Sequence, residues 1–338
     1  MKPIDLRSDT VTKPSAAMKE TMIEAEVGDD VYGEDPTINE LEALAAKMLG
    51  TQDSIFCVSG TQTNLLALMT HCERGDEYIV GQHAHTYKYE GGGAAVLASI
   101  QPQPLDFEDD GTFNLEKVSQ FIKPDDIHFA NTKLLCLENT HAGKVLPQDY
   151  IENAKVFADD NNLNLHLDGA RVFNAAIKLK IDVKEITKYF DTISCCLSKG
   201  LGAPVGSVLC GSKNQIKKAR RWRKVLGGGM RQAGFLAGAG IYALVNNIQR
   251  LEKDHENALA LAKGLSEINN IHINMKSVQT NMVFADIDAD MSKVCRFLKE
   301  EGIIINSDNY LRLVTHLDIS KKDIDYTIQA FKECVNLQ

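Results

Sequence analysis

Residues Asp191–Gly202 read DTISCCLSKGLG. The run from about Thr192 to Leu197 is apolar and partly β-branched, and it stops at a Ser-Lys-Gly turn. Strands buried on both faces of a parallel sheet have this composition. Lys199 therefore stands at the end of a buried strand, followed by Gly200 and Gly202, which let other groups approach the backbone closely. Lysine is almost never fully buried unless paired. When buried it gives up its charge readily and becomes a nucleophilic amine, able to form a Schiff base with an aldehyde. The plain alternative is a surface lysine on an ordinary turn, and the rest of the chain decides between the two.

Upstream, Leu163–Leu167 reads as another strand, ending LHLDGAR, with Asp168 and Arg171 at its C-terminal end. In open α/β sheets that edge is where ligands bind. From this segment alone, Asp168 either caps the next helix or contacts a ligand. Earlier still, Ser54–Val58 reads as a strand, Ser59-Gly60-Thr61 as a tight turn and Gln62–His71 as a helix. A strand, a small-residue turn and a helix N-terminus together form an anion site suited to phosphate. Strand Glu77–Val80 leads into GQHAHTYKYEGGGAA, where His83 and His85 lie two apart. No third ligand stands at a metal-binding spacing, so no metal is expected, and an aromatic ring lying flat on a planar cofactor suits His85 better. His128, in DIHFANT, lies just before the strand Leu134–Leu137, which ends in Glu138-Asn139-Thr140-His141. Val96–Ile100 also reads as a strand.

The 338 residues suffice for one large α/β unit and a smaller one. Strands and helices alternate to about residue 250, predicting a mostly parallel sheet. The pattern then changes to that of a small α+β domain. The expected division is 1–250, including an N-terminal segment 1–35, and 251–338. Net charge −9 argues against nucleic acid or an anionic membrane as partner. No apolar run approaches membrane-spanning length. The eight cysteines are scattered without CxxC pairs, which suggests reduced thiols and a cytoplasmic setting. The basic run Lys217–Lys224, KKARRWRK, precedes Gly227-Gly228-Gly229-Met230-Arg231, a context suited to a small anion.

A phosphate turn at Gly60-Thr61, an aromatic at His85, an acid at Asp168 and a lysine at Lys199 fall at sheet edges in this order. Pyridoxal phosphate needs this set: an amine for its aldehyde, a helix N-terminus for its phosphate, an acid for its pyridine nitrogen and a flat partner for its ring.

The chain resembles the low-specificity L-threonine aldolases, fold-type I pyridoxal-phosphate enzymes of the aspartate aminotransferase superfamily. The resemblance runs essentially end to end. Its motifs are DLRSDTVT (5–12), GDDVYGEDP (28–36), SGTQTN (59–64), LENTH (137–141), HLDGAR (166–171), CLSKGLGAPVGS (196–207) and RWRKVLGGGMRQ (221–232). QHAHTY departs from the pattern, because relatives often lack its first histidine, so His85 takes the stacking role and His83 is left unassigned. The resemblance implies cleavage of L-threonine, L-allo-threonine and related β-hydroxy-α-amino acids to glycine and an aldehyde. It implies that Lys199 binds pyridoxal 5'-phosphate covalently and that Asp168 pairs with its ring nitrogen. Arg171 would lie by the cofactor's phenolic oxygen and, with Ser8 and Arg312, hold the substrate carboxylate. Ser59, Gly60 and Thr61 would bind phosphate, with Lys224 and Arg231 reaching it from a second subunit of a dimer or tetramer. Tyr32 and Glu90 would line the pocket. His85 and His128 are the histidines considered as proton carriers, with an ordered water as the alternative. Another reaction on the same scaffold, such as β-elimination or transamination, and a non-catalytic cofactor-binding protein are the competing expectations.

Overall fold

The structure is a computed structural model that describes residues 2–307 and 310–336. Among the described residues there are twelve strands: β1 Ile4–Asp5, β2 Asp53–Cys57, β3 Glu77–Gly81, β4 Gln101–Leu105, β5 Thr132–Glu138, β6 Asn164–Asp168, β7 Thr192–Cys196, β8 Ser207–Gly211, β9 Ile271–His272, β10 Met282–Ile287, β11 Ile303–Ile304 and β12 Tyr310–Val314. Seven make one sheet in the order β2-β8-β7-β6-β5-β3-β4. Neighbours from β7 through β4 are parallel, and β8 is antiparallel to both β7 and β2. Every residue of β7 and β8 is buried, and neither strand carries a charged side chain. This is the α/β architecture expected of a fold-type I enzyme.

One expected element changes type. Residues 93–98 form a helix, and the strand is instead β4, sequence QPQPL. Two prolines argue against a central strand, yet β4 is the outermost strand and pairs only with β3. An edge strand tolerates missing N–H groups on its open side.

After residue 250, helices Leu251–Ser266, Met291–Glu300 and Lys321–Asn336 pack with the antiparallel sheet β12-β10-β9 around a second hydrophobic core. Ile4 and Leu6 belong to that same core, and β1 pairs in parallel with β11. The first residues of the chain thus pack with its last quarter, although the sequence-based division attached them to the large unit. Among the described residues, no helix is long and apolar enough to cross a membrane.

Candidate active site

The C-terminal ends of β2, β3, β5, β6 and β7 share one edge of the sheet because these strands run in the same direction. At that edge the chain emerges from β2 into the helix Gly60–His71. Ser59 caps it: its Oγ accepts from the N–H of Gln62, and its carbonyl accepts from that of Thr63. The remaining first-turn donors, the N–H groups of Gly60 and Thr61, are left for a ligand. Gly60 is required here, since a Cβ on it would lie 2.7 Å from Cys196 Sγ.

One turn into the same helix, Asn64 reaches across the sheet edge. Its Nδ2 donates to Asp168 Oδ2 and to Glu90 Oε1, both at 2.8 Å. Asp168 is 3% exposed, at the end of β6 and beside Ser194 of β7. Its Oδ1 accepts from the N–H of Ala170, and the following helix begins only at Val172. Its second oxygen is directed to Asn64, so a helix cap does not account for it.

His85 follows β3. Its Nδ1 lies 2.8 Å from Glu90 Oε1, and its backbone N–H donates to Glu138 Oε2 at the end of β5. The hydrogen bond to Glu90 is the main reason the imidazole is more basic than usual; burial works against it and the Asp168 charge assists. Burial, with Asp168 nearby, pushes the Glu90 carboxyl up. Donor atoms of His85, Glu90 and Asp168 lie within 4.8 Å of one another. The amide of Asn64 joins the two carboxylates, so the cluster is organised by hydrogen bonds.

Lys199 stands on the turn after β7. Among the described residues, no carboxylate forms an ion pair with its ammonium. Gly202 takes φ +80°, and a Cβ there would strike Leu317. Arg171 donates from Nε and Nη2 to Asp9 at 2.8 and 2.6 Å. Burial would raise the Asp9 carboxyl, but the adjacent guanidinium outweighs it and holds it at about 2. Arg312, on β12, donates to the carbonyl of Arg7 at 3.1 Å. The two arginines therefore grip Arg7-Ser8-Asp9 from either side of Ser8, bringing together the three residues expected to hold a carboxylate.

Other expected residues lie elsewhere. His128 is a correction. Its side chain is 77% exposed and pairs with Asp126. It precedes β5, whose C-terminal end carries Glu138, so the length of the strand, about 20 Å, separates it from the site of its own chain. Tyr32 is 74% exposed. Arg231 forms an exposed ion pair with Asp29, and Lys224 is exposed at the end of the helix Lys213–Val225. His83 is exposed and meets Lys88. Asn64, Asp9 and Glu138 were not assigned from the sequence, although all three lie within motifs that carry the resemblance.

A family model described as beta-eliminating lyase matches residues 5–288. The low specificity L-threonine aldolase of Escherichia coli (strain K12) is 55% identical over 322 residues, covering 95% of this chain and 96% of its own. Low-specificity L-threonine aldolase 1 of Arabidopsis thaliana is 42% identical, covering 99% and 97%. The solved structure of Leishmania major threonine aldolase superposes with TM-score 0.84 over 98% of this chain and 100% of that one, at 21% identity, and speaks to the fold alone. The chain therefore belongs to the beta-eliminating lyase family and, within it, to the low-specificity L-threonine aldolases.

Proposed function

We propose that the chain cleaves the Cα–Cβ bond of L-threonine, L-allo-threonine and related β-hydroxy-α-amino acids, giving glycine and an aldehyde, with pyridoxal 5'-phosphate as cofactor. One observation carries this reading. Buried Asp168 ends β6, and Lys199, whose ammonium meets no carboxylate among the described residues, follows the adjacent parallel strand β7, at the same edge as the helix start at Gly60. The donor set fits the cofactor: an amine for the aldehyde, N–H groups and a helix dipole for the phosphate, a carboxylate for the ring nitrogen and the imidazole of His85 for the ring face. The cofactor, when bound, supplies a sink for the electron pair released at Cα.

The protein's part is binding, orientation and proton transfer. Lys199 provides the amine. Asp168 would pair with the ring nitrogen. Ser8, Arg171 and Arg312 would bind the substrate carboxylate, and a carboxylate fixed at that point orients the bonds to Cα. His85 keeps Nε2 available because Nδ1 is engaged by Glu90. We assign Nε2 as the acceptor of the β-hydroxyl proton. As the O–H electrons form the aldehyde carbonyl, the Glu90 carboxylate stabilises the imidazolium that results. Tyr32, Lys224 and Arg231 are assigned to the site of a second copy of the chain, with Lys224 and Arg231 directed to the phosphate.

Product analysis tests the reaction. Protein supplied with pyridoxal phosphate and L-threonine or L-allo-threonine is expected to release acetaldehyde and glycine in equal amounts. The family description also covers β-elimination, which gives 2-oxobutyrate and ammonia, and those products would overturn the assignment.

A further inference from the structure

Asn64 touches two carboxylates at once, so the orientation of its amide matters. With Nδ2 toward Asp168 and Glu90, both acids accept hydrogen bonds. With the amide reversed, a carbonyl oxygen would face two acceptor-only groups, and one of them would have to take up a proton. The groups behind Asn64 make a continuous chain. Ser194 Oγ donates to Asn64 Oδ1 at 2.6 Å, and His166 Nε2 lies 3.4 Å from the same oxygen. His166 Nδ1 is 2.8 Å from Thr192 Oγ1, which is also 2.8 Å from His71 Nε2. Burial depresses both imidazoles, His166 to about 3 and His71 to about 4, so each is neutral and carries one ring N–H.

The single hydroxyl proton of Thr192 allows two directions. If it goes to His71, His166 must donate from Nδ1, and its Nε2 lone pair then faces the oxygen of Asn64. If it goes to His166 Nδ1, then Nε2–H donates to Asn64, and His71 Nε2–H supplies Thr192. The second arrangement leaves the Nδ1 lone pair 3.1 Å from the Thr192 carbonyl oxygen, but it alone sets a donor, and not a lone pair, against the oxygen that the carboxylates make Asn64 turn toward His166. We propose that His71, Thr192 and His166 form a one-way chain of hydrogen-bond donors that holds the Asn64 amide toward Asp168 and Glu90. They are positioning residues: they keep Asp168 a charged acceptor for the cofactor's ring nitrogen while touching neither cofactor nor substrate. That last consequence rests on the proposed cofactor reading, whereas the direction of the chain does not.

Thr192→Val removes the hydroxyl at nearly constant volume. The backbone carbonyl of Thr192, already 3.1 Å from His166 Nδ1, is then the partner that remains, and the His166 proton moves to Nδ1. Thr192→Ser restores the hydroxyl. Two measurements on the full chain test this. Long-range 1H–15N spectra of 15N-histidine-labelled protein without cofactor, assigned with His166→Gln and His71→Gln, report the tautomers. The expected result is Nε2–H at His166 in the parent and the Ser variant, and Nδ1–H in the Val variant; Nδ1–H in the parent overturns the proposal. Titration with 15N-labelled pyridoxal phosphate reports the site. Thr192→Val is expected to bind it about tenfold more weakly, the effect of one lost buried hydrogen bond, and to move the ring-nitrogen signal away from the pyridinium value, with Thr192→Ser restoring both. Parent affinity and a pyridinium signal in a folded Val variant overturn the positioning role. If the parent itself binds no cofactor, the proposed function fails, and the tautomer spectra still decide the direction of the chain.

Discussion

Arg171 donates two hydrogen bonds to Asp9, at 2.8 and 2.6 Å, in a pair whose carboxylate is fully buried. Arg171, to which the proposed function gives the substrate carboxylate, is thus held in place by a residue only one position from Ser8. Removing one partner of a buried pair leaves an uncompensated charge, which costs about 3–5 kcal/mol. Asp9→Ala is expected to lose stability on that scale in urea unfolding, while Asp9→Asn loses less and mainly raises KM for threonine. Normal stability and kinetics in both variants would show that the clamp has no role.

With His85 as the base of the proposed function, its pairing with Glu90 would set the acid limb of the rate profile. A base must be neutral to accept a proton, so kcat/KM rises as pH passes upward through the His85 pKa. Because the Glu90 hydrogen bond raises that pKa, Glu90→Gln should move the limb toward lower pH. An unmoved limb would remove His85 as the base.

His255 joins the helix Leu251–Ser266 to Asn174, whose Nδ2 lies 3.1 Å from His255 Nε2. Burial, helped by Lys178, holds this imidazole at about 4. Above pH 6.5 both folded and unfolded forms are neutral, and the group contributes nothing to pH dependence. Below it the unfolded chain binds a proton that the folded chain refuses, so stability falls as pH drops from 6.5 toward 4. At pH 5 the loss is about 1–2 kcal/mol. The stability of the parent relative to His255→Gln should therefore decline by that amount between pH 7.5 and pH 5, and a constant difference would contradict the buried neutral imidazole.

Lys224, Arg231 and Tyr32 are exposed in a single chain, and the proposed function gives them to a neighbouring copy. Mixing inactive Lys199→Ala with inactive Arg231→Ala protein should then restore activity, because a hybrid dimer contains one whole site. Random pairing of equal amounts returns about a quarter of parental activity. No recovery after proven subunit exchange would mean that each chain builds its site alone.

Much of the site was legible because it follows strand ends. Lys199 and Asp168 stand where buried apolar runs stop, and the Ser59-Gly60-Thr61 turn announces a helix start. Strand polarity was also available, and it places His128, which precedes β5, at the far edge from Glu138, which ends it. Asn64 carried no such signal: an asparagine inside a helix reads as an ordinary polar position. Only its spacing, one turn beyond Gly60, hints that it shares the face turned to the site. The Asp9–Arg171 pair joins residues 162 apart, which no local pattern reveals. The strand β4 was hidden by its prolines, which are tolerated only because the strand lies at the sheet edge.

The central claim is that Lys199 holds the cofactor covalently at the edge formed by β6 and β7. Full-length protein incubated with pyridoxal phosphate, reduced with borohydride and mapped by peptide mass spectrometry tests it most directly. The predicted result is a single pyridoxyl-modified residue, Lys199, with the modification lost in Lys199→Ala. Modification centred on any other lysine, or none at all, would contradict the account.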